Sequence, residues 1–188
     1  MKKEKLFVRF QNFFEWSERA NLAGGRLLDF SIEYKKLVFG GSLYPKQGNI
    51  DNELLGAMNR QLNSEVYFFS ISFHNYLKSI ERLGINIALE RYKNSRTLIS
   101  ALRNIFEHWE NHDFDEFLKG KLNKKSLKNF NIFLKKFPNS PATPFGITFS
   151  QNGEVTIASI LSVVDALKVL ENNKKLAEKE FNKIFQQS

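Results

Sequence analysis

Arg103 and His108, with the amide of Asn104 beside the Arg, are the side chains of this sequence best suited to chemistry. A guanidinium is a permanent planar cation that matches the oxygens of a phosphate, and an imidazole exchanges a proton near neutral pH. Cleaving a phosphodiester without metal needs those two capacities. A proton must move at the attacking and leaving oxygens, and positive charge must sit on the non-bridging oxygens. Asn104 adds a neutral donor and acceptor beside the Arg.

The stretch carrying this trio reads as a helix over residues 86–111. Ile85, Tyr92, Ile99 and Phe106 form a row seven apart, beside Leu102 and Trp109. At the helical rotation per residue, Arg103 and His108 lie roughly 140° apart, on opposite flanks of the stripe Leu102, Ile105, Phe106 and Trp109. One helix therefore does not gather them. Asn104 lies between them on the polar side, and a two-fold contact across that side is self-complementary, bringing two Arg and two His into one cleft. Catalysis by this group thus implies a homodimer.

The remaining elements follow from periodicity and punctuation. Residues 6–22 predict a first helix with Phe7, Phe10, Phe13 and Phe14 on one side, ended by Gly24-Gly25. A shorter helix over 26–38 is closed by Gly40-Gly41 and a loop holding Pro45 and Gly48. From 53 to 83, Leu55, Met58, Leu62, Val66, Phe69, Phe73, Tyr76, Ile80 and Leu83 alternate three and four apart, the stripe of a long bundle helix with Asp51 as N-cap and Gly84 at its end. Residues 112–125 are polar, and Ser126 then caps a short helix of Leu127, Phe130, Phe133, Leu134 and Phe137, stopped by Pro138.

The period then changes to two. Ile147-Thr148-Phe149 and Val155-Thr156-Ile157 predict a hairpin at about 146–157. A register pairing Phe149 with Val155 and Ile147 with Ile157 puts four apolar side chains on one face, whereas a two-residue Asn152-Gly153 turn splits them. Ser159 is expected to cap a last helix to about 186, with Ile160, Val163, Val164, Leu167, Leu170, Ala177, Phe181 and Ile184 inward. The expected fold is a single all-α domain over residues 1–188, an up-and-down bundle with one small hairpin before the final helix.

Composition bounds the function. A length of 188 residues with 42% hydrophobic content supports a sizeable core. There is no Cys, which excludes disulfides, thiolate zinc sites and Cys nucleophiles. The basic start is interrupted by Arg9, Gln11 and Asn12, so it does not form a signal h-region, and no apolar run reaches membrane-spanning length. The expectation is a cytoplasmic protein without a membrane partner. A net charge of +8 favours anionic partners. That charge is unevenly spread. Residues 106–118 carry Glu107, Glu110, Asp113, Asp115 and Glu116 without Lys or Arg, whereas 119–136 carry Lys119, Lys121, Lys124, Lys125, Lys128, Lys135 and Lys136 without an acid. The lysines offer the better phosphate-tracking surface, with Lys119, Lys121, Lys124, Lys125 and Lys128 as candidate RNA contacts.

The segment Arg103-Asn104-Ile105-Phe106-Glu107-His108 resembles the motif of the HEPN superfamily, in which an Arg, often followed by a polar residue, precedes a His by a few positions on a core helix. Many HEPN proteins are ribonucleases acting as toxins or in defence and RNA processing; others are non-catalytic helical modules. The resemblance implies that His108 transfers the proton, Arg103 stabilises the phosphate and Asn104 positions it, in a dimeric cleft with no cofactor, and it raises an antitoxin as a possible partner. The chain departs from one branch of the family at Glu110, two positions after the His, where toxins paired with a nucleotidyltransferase often have the Tyr which that partner modifies.

Other readings of the same residues stay open. Glu107 is four positions after Arg103 and is spaced to pair with it on the helix surface, which would make Arg103 structural. His108 and His112 are also four apart and could share a zinc with Asp113 or Asp115, although Glu110 is not where a metalloprotease helix places its Glu. No metal is therefore assigned. His74 borders the Phe73 and Tyr76 stripe and reads as a packed or surface residue. Most Phe fall at core spacing rather than forming a platform for bases.

Overall fold

The computed structural model describes residues 3–39, 52–84, 99, 147–149, 155–157 and 161–186. These form helices α1 (Lys3–Phe39), α2 (Asn52–Leu83) and α3 (Val163–Phe185), and strands β1 (Ile147–Phe149), β2 (Val155–Ile157) and β3 (Leu161–Ser162). The architecture is a helical bundle with a small antiparallel hairpin before the last helix, as the periodicity predicts.

The double glycine does not end the first helix. α1 runs unbroken for 37 residues, roughly 55 Å, through Gly24 and Gly25, so the predicted pair 6–22 and 26–38 is one element. A glycine inside a helix costs about 1 kcal/mol relative to alanine, and packing offsets it here. The buried seam of α1 is Phe10, Phe13, Ser17, Ala20, Gly24, Leu27 and Ser31, and its three-four spacing never falters at the glycines. A Cβ on Gly24 would meet Leu167 Cδ2 at 2.6 Å and Phe69 Cε2 at 2.9 Å. The missing side chain lets α2 and α3 approach α1 at one point.

α2 lies antiparallel to α1. Phe13 meets Tyr76 with ring centroids 5.7 Å apart, Arg26 pairs with Glu65 at 3.2 Å, and the Tyr34 hydroxyl donates to Asn59 Oδ1 at 2.8 Å. The expected stripe is buried from Leu62 through Val66, Phe69, Phe73, Tyr76 and Ile80 to Leu83, with Leu55 and Met58 half-buried nearer the start. Gly84 terminates the helix with φ of +72°, a backbone state that costs glycine nothing, and its N–H donates to the Ile80 carbonyl at 3.2 Å. Asp51 lies outside the described residues.

α3 also runs antiparallel to α1. Phe10 packs edge-on against Phe181 at 5.4 Å, Phe7 against Phe185 at 5.6 Å, and Gly24 sits under Leu167. Both partners of α1 therefore run in the same direction, and Asn173 on α3 reaches Tyr76 on α2. Val163, Leu170 and Ala177 are buried as expected. Ala166 and Asn173 join them, while Leu167, Phe181 and Ile184 are half-buried.

β1 and β2 pair in the register Ile147 with Ile157, Thr148 with Thr156 and Phe149 with Val155, the register that groups the apolar residues. Val155 and Ile157 are buried, with Thr156 between them less so. Ser159 is not the cap of the final helix. Leu161 and Ser162 instead extend the sheet by pairing with Ile157 and Thr156, and Ser162 caps α3 with its hydroxyl accepting the Asp165 N–H at 3.2 Å. Ser162 has an acid three positions on, favourable at a helix N-terminus, whereas the third residue after Ser159 is Ser162 itself.

Candidate functional site

Arg103, Asn104 and His108 lie outside the described residues, as do Lys119, Lys121, Lys124, Lys125 and Lys128. The same holds for the predicted elements at 86–98, 100–111 and 126–137. Ile99, four positions before Arg103, is described. It is helical and fully buried, as expected of that member of the seven-spaced row. His74 is a packed residue, buried on α2 beside Phe73. Among the described residues no three His, Asp or Glu gather as metal ligands, and no helix is long and apolar enough to cross a membrane.

The described helices form a polar recess of their own. α1 contributes Arg9, Asn12 and Trp16, at positions i, i+3 and i+7 of one helical face. α2 contributes Asn75, Lys78, Ser79 and Arg82, again on one face. Because the helices are antiparallel, with Phe13 level with Tyr76, Arg9 lies towards the Arg82 end and Trp16 towards the Asn75 end. The recess holds about 140 Å³.

Its electrostatics are one-sided. Among the described residues three cations line it, and no Asp or Glu does. The nearby acid Glu15 is committed elsewhere, 2.7 Å from Arg19. The Arg19 guanidinium in turn lies 5.0 Å from the Trp16 ring centroid, a cation–π contact that holds the indole from outside the recess. Arg9 and Arg82 are exposed, while Lys78 and Trp16 are half-buried and Ser79 is buried. Ser79 donates its hydroxyl proton to the Tyr76 carbonyl at 2.7 Å, so it forms wall rather than donor. The free donors are the guanidinium, ammonium and amide groups.

Such an arrangement suits an anion. Arg groups offer paired N–H donors to an oxyanion, Lys adds a point charge, and amides can donate or accept at the rim. By type and position Arg9 and Asn12 read in the sequence only as breaks in the apolar start. The signal was present in two halves, a polar row beside the Phe stripe of α1 and another beside the α2 stripe, and neither half has meaning until the helices pair. Compared with known proteins, the chain matches no family model, no curated protein and no solved structure.

Proposed function

We propose that the protein is a HEPN-like, metal-independent endoribonuclease of the toxin or defence type, acting as a homodimer. The motif Arg103-Asn104-Ile105-Phe106-Glu107-His108 carries this reading, and a bundle fold with Ile99 helical and buried one turn earlier supports it. His108 takes the proton of the RNA 2'-hydroxyl, the freed oxygen attacks phosphorus, and the bond to the 5' oxygen breaks as that oxygen gains a proton from the second His of the dimer. Arg103 balances the charge on the non-bridging oxygens and Asn104 orients them. The products are a cyclic phosphate across the 2' and 3' oxygens and a free 5'-hydroxyl. Lys119, Lys121, Lys124, Lys125 and Lys128 would follow the strand. An antitoxin that binds the dimer would fit a toxin role.

The test is cleavage of labelled RNA in EDTA. The parent is expected to cut, and His108→Ala and Arg103→Ala to cut about 10² times more slowly or worse. A parent that cuts no RNA, or a His108→Ala variant as fast as the parent, rejects the assignment. A second reading, a non-catalytic HEPN-like interaction or nucleotide-binding module, is favoured by the acidic run Glu107, Glu110, Asp113, Asp115 and Glu116, which repels RNA at the motif itself.

A further inference from the structure

The recess between α1 and α2 gathers three cations, and among the described residues no carboxylate lines it. Like charges held together repel, and the repulsion grows as the surroundings exclude water. An anion entering the recess would meet the half-buried Lys78 and the exposed Arg9 and Arg82 together. Among the described residues, Arg9, Lys78 and Arg82 have no carboxylate partner.

We propose that this recess binds the phosphate group of a nucleotide, free or within an RNA strand, with Arg9, Lys78 and Arg82 on its oxygens. A carboxylate would use one Arg, whereas a phosphate has the charge and the oxygen count for three cations. The opposite end of the recess supplies what the rest of a nucleotide needs. Trp16 presents an indole that the Arg19 guanidinium approaches to 5.0 Å, and Asn12 and Asn75 offer the donor and acceptor pairs that base edges match. From Arg9 to Trp16 the helix advances roughly 10 Å, room for a phosphate at one end and a base at the other. Its proposed ligands, Arg9, Lys78 and Arg82, are distinct from the motif residues Arg103 and His108.

The experiment measures binding by the full chain of three probes: inorganic phosphate, adenosine monophosphate and a single-stranded oligoribonucleotide. Trp16 fluorescence is the readout in a Trp109→Phe background, which leaves Trp16 as the sole indole because the chain has 2 Trp. Each of Arg9→Gln, Lys78→Gln and Arg82→Gln is expected to weaken nucleotide binding about tenfold or more, and each substitution that removes a strand phosphate contact should lower the salt slope by about 0.7. Binding of the mononucleotide identifies a free-nucleotide site, and binding of the oligonucleotide alone identifies a strand site. Failure of both nucleotide probes, or a triple variant that binds as tightly as the parent, overturns the proposal, as does binding of inorganic phosphate with both excluded. Should the triple variant not fold, Arg9→Gln with Arg82→Gln gives the same test at two exposed positions. Binding read at Trp16 and RNA cleavage are separate readouts, so failure of this site and failure of the proposed activity are distinguished.

Discussion

The Nδ2 amide of Asn173 donates to the Tyr76 hydroxyl at 2.9 Å, and both side chains are buried. The bond joins helices α2 and α3 across 97 positions of sequence, within a core built mainly of aromatic and aliphatic side chains. A buried amide is tolerable only when paired, so each group stabilises the fold mainly by satisfying the other. Tyr76→Phe is expected to cost about 1–3 kcal/mol by orphaning an Asn173 N–H. Asn173→Leu added to Tyr76→Phe should recover part of that loss, because the orphan goes with it. Denaturant melts of the two single variants and the double check this, and additive losses would show that the pair is not coupled.

Adjacent glycines in α1 should respond with opposite signs. Gly25 has open space where a Cβ would stand, so Gly25→Ala is expected to stabilise by up to about 1 kcal/mol through helix propensity. Gly24→Ala gains the same propensity but drives a methyl into Leu167 and Phe69, and overpacking of that kind costs about 1–3 kcal/mol. Thermal melts should place the Gly24→Ala variant below the parent and the Gly25→Ala variant above it.

These positions show where sequence logic stops. The hairpin register was legible because one pairing groups Ile147, Phe149, Val155 and Ile157 and the alternative scatters them. The end of α2 was legible because Gly84 follows an uninterrupted stripe. Gly24-Gly25 reads as punctuation by residue type, and only the seam running from Ala20 to Leu27 through Gly24 argues otherwise. Ser159 and Ser162 both look like caps, and the choice between them turns on the third strand that Leu161 and Ser162 form with β2. Asn173 is polar, and its burial follows from a partner on another helix. The cationic recess is likewise a property of two helices together. Arg103, Asn104 and His108 were found by type and spacing alone, and they stand as a proposal on that ground.

Tyr34 gives an alkaline test of the α1–α2 contact. Partial burial pushes its phenol above the ordinary value of 10.0, and its hydroxyl donates to Asn59. A phenol whose pKa is raised by folding holds its proton longer in the native state than in the unfolded chain. Its contribution is complete below the ordinary value and is lost as pH rises through the raised one. Stability of the parent should therefore fall with pH through that window by more than that of Tyr34→Phe. At neutral pH the same substitution should cost about 0.5–1 kcal/mol for the lost hydrogen bond at a partly solvated site. Urea titrations across the alkaline range provide both numbers, and parallel curves for the two proteins would remove Tyr34 from the account.

The lysine run gives the sharpest separation between RNA tracking and a merely solvated surface. Lys119, Lys121, Lys124, Lys125 and Lys128 follow an acidic stretch in sequence, and of the two runs only the basic one attracts a polyanion. Each ammonium that neutralises a phosphate releases a counterion, and the logarithm of affinity for a single strand then falls with that of salt by roughly 0.7 per contact. Replacing Lys124, Lys125 and Lys128 by Gln should weaken binding of a single-stranded RNA and lower the slope by about two units if all three make contact. The proposed recess ligands Arg9, Lys78 and Arg82 are unchanged in this variant, so binding of a mononucleotide there should persist. Unchanged affinity and slope for RNA would leave the recess cations, Arg9, Lys78 and Arg82, as the groups to carry RNA affinity instead.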